Sequence, residues 1–263
     1  MSAIASSAAP DTVLQVQIEH GVATLTLNRP ARYNSLSAEL LSALQRTLDE
    51  ISSNESIQVV IIAAIGKAFC AGHDLKELRS REDRQFHQSL FDQCGKMMVT
   101  INQMPQPVIA QVQGIATAAG CQLVAACDLA IAGESARFAV SGINLGLFCS
   151  TPSVPLSRNL SRKQAMQMLL TGDFIDAPTA KQYGLVNDVV ADAELARATR
   201  DLAEKIAAKS SFSVRLGKKM FYQQLDMDLD AAYRFAGERM ACNMDSDDAR
   251  DGIDAFLGKR KPV

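Results

Sequence analysis

The feature that most constrains this chain is an alternation. Short apolar runs are each closed by a small-residue loop and followed by a segment with helical periodicity. Val59–Ala64 and residues 129–132 are apolar from end to end, and Val108–Val112 is apolar but for Gln111, as strands covered on both faces are. Residues 13–18 and 22–27 flank His20-Gly21 and predict a hairpin. Ser37 caps a predicted helix reaching about Ser52, with Leu40, Leu41, Leu44 and Leu48 at helical spacing. A loop over 66–72 leads into a helical stretch starting near Asp74. The charged residues 79–84 mark a surface break before a long helix to about Gln103, which Pro105 and Pro107 stop. Gly114 opens a second small-residue turn into a helix over 118–126. From about Ala191 the pattern becomes helical, over 192–209, 212–224, 228–243 and 246–257. The fold class is therefore α/β with buried sheets and a C-terminal helical region. No internal repeat interrupts it.

Composition narrows the function classes. The 263 residues are 48% hydrophobic, enough for one large domain or a domain with an appendage. The expected division is a flexible tail over 1–11, a core over 12–190 and a helical region over 191–263. A net charge of −2 gives no reason to expect nucleic acid or an anionic membrane as partner, so any phosphate site must be local. Cysteines 70, 94, 121, 127, 149 and 242 lack C-x-x-C spacing and read as small buried hydrophobes in a reducing compartment. The first eleven residues carry no cationic stretch, and no run of about 18 apolar residues suggests a membrane span. No metal site is expected, and the expected location is the cytoplasm.

Two loops suit chemistry done by backbone donors: Gly66-Lys67-Ala68-Phe69-Cys70-Ala71-Gly72-His73-Asp74 and Gly114-Ile115-Ala116-Thr117-Ala118-Ala119-Gly120-Cys121-Gln122. Each runs from a strand into a helix. Small residues there let a ligand approach the backbone, and amides at a helix start favour negative charge. Two such turns facing each other would polarise one carbonyl oxygen. Tight helix–sheet packing explains the same small residues, and spacing alone leaves both readings open.

The ordered motifs Leu27-Asn28-Arg29-Pro30…Asn34-Ser35-Leu36, Ala68-Phe69-Cys70-Ala71-Gly72-His73-Asp74-Leu75, Pro107-Val108-Ile109-Ala110, Gly120-Cys121-Gln122-Leu123 and Cys127-Asp128 resemble the enoyl-CoA hydratase (crotonase) family. Leu170-Thr171-Gly172, Ala180…Gly184-Leu185-Val186 and the tail 256–262 extend the likeness almost to the end. The resemblance implies a spiral of ββα units with a helical trimerisation region, in a trimer or a dimer of trimers. It also implies an acyl-CoA thioester as substrate, coenzyme A as part of that substrate and no prosthetic group. By position, the backbone N–H groups of His73 and Ala119 would hold the thioester oxygen. Arg32, Lys67, Ala68 and Ala71, with Lys259 and Lys261 of the tail, would approach the nucleotide part of coenzyme A. On charge alone these basic residues also fit an ordinary solvated face.

The resemblance also exposes a departure. The two glutamates that family hydratases use fall on Gln122 and Gly142, and neither residue is a carboxylate base. A third family position, an aspartate in some members, falls near Ser150. Glutamine can orient a water but cannot take its proton. His73 and His87 are candidate replacement bases, with a backbone role for His73 and a surface role for His87 as the plain alternatives. Asp74 reads as a helix cap, and Asp128 resembles a structural aspartate. Phe148, Cys149 and Ser150 replace a glycine-rich loop beside the expected acyl pocket. Cys149 is a nucleophile only if its thiolate is stabilised. The Phe-Cys-Ser-Thr-Pro stretch with Ala-Ala-Gly-Cys-Gln resembles the subgroup called enoyl-CoA hydratase domain-containing protein 3. The reading is an acyl-CoA lyase or isomerase with doubtful hydration, or a non-catalytic acyl-CoA binder of the same fold.

Overall fold

A computed structural model describes residues 12–258; the tail over 1–11, Lys259 and Lys261 lie outside the described residues. Strands β1 (Leu14–Glu19) and β2 (Val22–Leu27) pair antiparallel through the His20-Gly21 turn. Helix α1 (Ala38–Ser52) begins where the Ser37 side chain accepts the Leu40 N–H. It buries Leu40, Leu41, Leu44, Leu48 and Ile51 against the core. Each fully buried side chain of this kind contributes about 1.5–3 kcal/mol.

Three structural units follow, each with the same plan. The first is β3 (Val59–Ala64), β4 (Ala68–Cys70), α2 (Leu75–Ser80) and α3 (Arg84–Gln103). The second is β5 (Val108–Val112), β6 (Ile115–Thr117) and α4 (Ala119–Ala126). The third is β7 (Leu129–Gly133), β8 (Arg137–Ala139), α5 (Ser150–Asn159) and α6 (Arg162–Thr171). β9 (Ile175–Asp176), α7 (Ala177–Tyr183) and β10 (Asp188–Val190) complete the core. Every unit gives its first strand to a six-stranded sheet, ordered β1-β2-β3-β5-β7-β10, and its second to a four-stranded sheet, ordered β4-β6-β8-β9. Pairing between successive units is parallel in both sheets. This is the spiral of ββα units.

Two of the segments expected as loops hold strands. The loop over 66–72 contains β4, and the turn after Gly114 contains β6. Strands of three small residues show no measurable periodicity, so only their partners reveal them. The contact between units is tight. A Cβ on Gly120 would lie 2.0 Å from the Cys70 carbonyl oxygen, so only glycine lets α4 start against β4.

The C-terminal helices are α8 (Leu195–Ala207), α9 (Ser211–Gln224), α10 (Leu229–Met244) and α11 (Asp247–Leu257). α8 covers the outer face of the larger sheet, where Ala203 joins Val22, Val59, Ile61, Ala63 and Ile109 in a second apolar cluster. α9 is fixed by a buried charge. The Lys218 ammonium donates to Asp128 (2.7 Å) and to the carbonyls of Ile101 and Gln106. Asp128 also accepts from Tyr222 Oη and the Val108 N–H. Beyond this anchor α10 buries no side chain, and α11 buries only Ala255.

Candidate active site

The Leu27–Leu36 motif builds the frame. Asn34 is fully buried with φ 54°, a value that asparagine tolerates better than most residues. Its carboxamide donates to the carbonyls of Ile65 and Ala68 and accepts the Arg29 N–H. The turn at Pro30–Arg32 is thereby clamped to the Gly66-Lys67 turn, and Ala71 N–H closes the clamp on the Tyr33 carbonyl. Pro30, Ala31, Tyr33, Gly66 and Lys67 line a surface groove between the turns. The structure thus brings Arg32, Lys67, Ala68 and Ala71 together, with both basic side chains exposed.

Asp74 is a cap, as the sequence suggests. Its carboxylate accepts the Lys76 and Glu77 N–H groups at the start of α2 and pairs with Arg29 at 3.0 Å. Burial pushes its pKa up, but the Arg29 hydrogen bond and the cap amides outweigh burial and hold it below the usual carboxylate range.

His73 forms a parallel bridge with Leu36: Leu36 N–H donates to Gly72, and Asp74 N–H donates to Leu36. In that pattern the His73 N–H points to the other side of the strand. Ala119 is the first residue of α4. The first helical hydrogen bond runs from Gln122 N–H to the Ala118 carbonyl, so the Ala119 amide belongs to the unsatisfied first turn. Ala118 has φ 51° and its N–H is held by Ala139. The two turns touch: a Cβ on Gly72 would meet Ala118 Cβ at 2.9 Å and Ala119 N at 3.3 Å.

The side chains here are poorly partnered. Both His73 ring nitrogens are sealed from solvent and meet no protein partner, and Gln122 Oε1 is in the same state. The imidazole packs edge-on to Phe91 at 5.2 Å between centroids. Burial lowers its pKa; the nearby Leu36 backbone offsets part of this without closing a hydrogen bond. Phe91 is a site residue that sequence reading missed, although it lies one helical turn beyond His87. His87 itself is engaged, its Nε2 lying 3.0 Å from the Leu78 carbonyl at the end of α2. Since a carbonyl only accepts, that nitrogen carries a hydrogen.

Gly142 sits in the 3-10 turn Ser141–Leu145. A Cβ there would meet both Cys149 Sγ and the Leu147 carbonyl oxygen at 2.7 Å. Cys149 is buried at the start of α5, while Phe148 and Ser150 are exposed. Burial raises the Cys149 pKa, and a Gly142 backbone hydrogen bond offsets only part of that, so the sulfur remains a thiol. Cys121 is pushed up to about 12 by burial. All six cysteines are free; five are buried, and Cys242 is exposed, unlike the expectation for it.

Residues 17–263 match the family model for enoyl-CoA hydratase/isomerase. The chain belongs to the enoyl-CoA hydratase/isomerase family. A crystal structure of an enoyl-CoA hydratase from Mycobacterium smegmatis is 52% identical, superposes with a TM-score of 0.94 and aligns over 95% of this chain and 98% of its own. That of human enoyl-CoA hydratase domain-containing protein 3 gives 45% and 0.93, over 95% and 99%. The Homo sapiens sequence of that name is 46% identical over 92% of this chain and 80% of its own. The likeness confirms the crotonase fold, its C-terminal helices and the subgroup that the Phe-Cys-Ser-Thr-Pro stretch suggested. It also corrects the expected cytoplasmic location. The rat, mouse, frog, human and zebrafish relatives of this subgroup are all named mitochondrial. Reduced cysteines fit any reducing compartment, so they carried no weight for the cytoplasm.

Proposed function

We propose that this family member binds an acyl-CoA thioester and polarises its carbonyl between the N–H groups of His73 and Ala119. The observation that carries this reading is the direct contact of the two turns, with one amide turned away from Leu36 and the other in the unsatisfied first turn of α4. Each donor of an oxyanion hole supplies about 3–4 kcal/mol. Lys67 lines a groove suited to the phosphates of coenzyme A, with Arg32, Ala68 and Ala71 in the two turns that form it. Lys259 and Lys261 of the tail would approach it. Coenzyme A enters as part of the substrate, and no prosthetic group takes part. His87, Phe148, Cys149 and Ser150 border the acyl end.

The reaction is a lyase or isomerase step on the acyl group, with ordinary hydration lost. Gln122 and Gly142 stand where family hydratases carry glutamates, and a positioned general acid or base typically gives about 10²–10⁴-fold. The test is the carbonyl stretch of butyryl-CoA labelled with ¹³C at C1. Bound to the protein it should shift to lower frequency than in water; an unshifted band on a bound ester would refute the two-amide site.

A second reading has its own observation. Cys149 and Leu147 fill the place of any side chain at position 142, which suits a protein that binds acyl-CoA without turning it over. Tight binding with no turnover of enoyl-, dienoyl- or malonyl-type esters would select it.

A further inference from the structure

Seven buried polar side-chain atoms have no partner among the described residues. Most belong to residues satisfied elsewhere: the Nε2 groups of Gln45, Gln106 and Gln113 donate to protein acceptors, and Arg200 pairs with Glu19. His73 and Gln122 are different. Neither makes a protein hydrogen bond through any side-chain atom, and Gln122 is only 3% exposed. Both stand on the two touching turns, one on each. Buried polar groups without partners cost stability, so each such group calls for an explanation. Here packing offers none, because an apolar side chain would fill either place at less cost.

We propose that the imidazole of His73 is the proton acceptor of this site, taking a proton from C2 of the acyl group, with the Gln122 carboxamide as its neutral polar counterpart. The assignment rests on the two-amide reading above and extends it. The C2–H bond breaks, its proton passes to an imidazole nitrogen, and the electron pair moves into an enolate whose oxygen the two amides hold. Return of a proton from the imidazolium to C2 restores the ester. The ring suits this role because it is uncharged at neutral pH: burial lowers its pKa, and no charged side chain opposes that. The neighbouring Asp74 is committed to Arg29, and α3 packs Phe91 against the imidazole in a T-shaped contact. Access to the ring requires Phe91 to yield as the acyl chain enters.

The test is deuterium exchange at C2 of butyryl-CoA in D₂O, read by mass spectrometry beside the bound carbonyl stretch. His73→Leu keeps the backbone N–H and removes the ring; His73→Phe, which fits beside Phe91, is the second variant. Wild-type protein should exchange C2. Both variants should lose at least about a hundredfold in exchange rate, keep the lowered carbonyl frequency and melt no lower than wild type. Exchange at the wild-type rate in a variant would overturn the assignment while leaving the amide pair intact. So would absence of exchange in the wild type, or a clear drop in melting temperature in both variants. An unshifted carbonyl in the wild type would overturn both readings together.

Discussion

Gly142 has no side chain, and two atoms hold it that way. With Cys149 Sγ and the Leu147 carbonyl both 2.7 Å from an added Cβ, even alanine forces the 3-10 turn or α5 to move. Gly142→Ala should cost about 1–3 kcal/mol in urea unfolding, and Cys149→Ala beside it should return part of that. A glutamate at 142 would meet the same two atoms. Asp74 makes the opposite case, a side chain whose work is plain. Asp74→Asn should cost up to about 1 kcal/mol through loss of the charge paired with Arg29, since asparagine caps about as well, and the effect should depend on pH. The carboxyl is held below its ordinary value, so its stabilisation is full above the unfolded-state pKa of about 3.9. It is lost as pH falls through the lower folded value. Thermal melts between pH 2 and 5 should show a shallower acid loss in the variant. Sequence reading identified Asp74 as a cap because the residue precedes a helix. It could not see Leu147 closing on position 142, because that contact is between backbone and empty space.

At the scale of elements, the long apolar strands and the amphipathic helices were legible, since burial on two faces or on one stripe leaves a periodic trace. β4, β6 and β8 were not, for three residues leave none. Their placement matters most, because β4 and β6 lead into the two turns of the site. Lys218 was also illegible: on a helix of mixed polarity a lysine reads as surface. In the structure it is 9% exposed and joins α9 to Asp128, Ile101 and Gln106. Lys218→Met should cost about 3 kcal/mol by leaving the part-buried Asp128 carboxylate without its cation. Loss of α9 docking should appear as faster amide exchange in α9 and α10 than in β3 or β5.

For the molecule as a whole, the C-terminal helices leave apolar surface uncovered. Leu229 (72% exposed), Tyr233 (74%) and Phe256 (82%) lie on α10 and α11, which contribute almost nothing to the core. Surface of this kind fits association. Sedimentation should find a trimer or hexamer of 28.4 kDa chains, and Tyr233→Glu with Phe256→Glu should shift it toward monomer. On the proposed reading, the site would keep a two-amide backbone arrangement, with glutamine and glycine at its acid/base positions. The motifs made the frame and the two touching turns readable in the sequence, whereas the unpartnered state of His73 and Gln122 emerged only when their neighbours were in place. The most direct test is the rate of crotonyl-CoA hydration by wild-type protein, followed by loss of the conjugated thioester absorbance beside a hydratase carrying both glutamates. The predicted rate is lower by at least about 10²-fold; a rate equal to that hydratase would contradict the account.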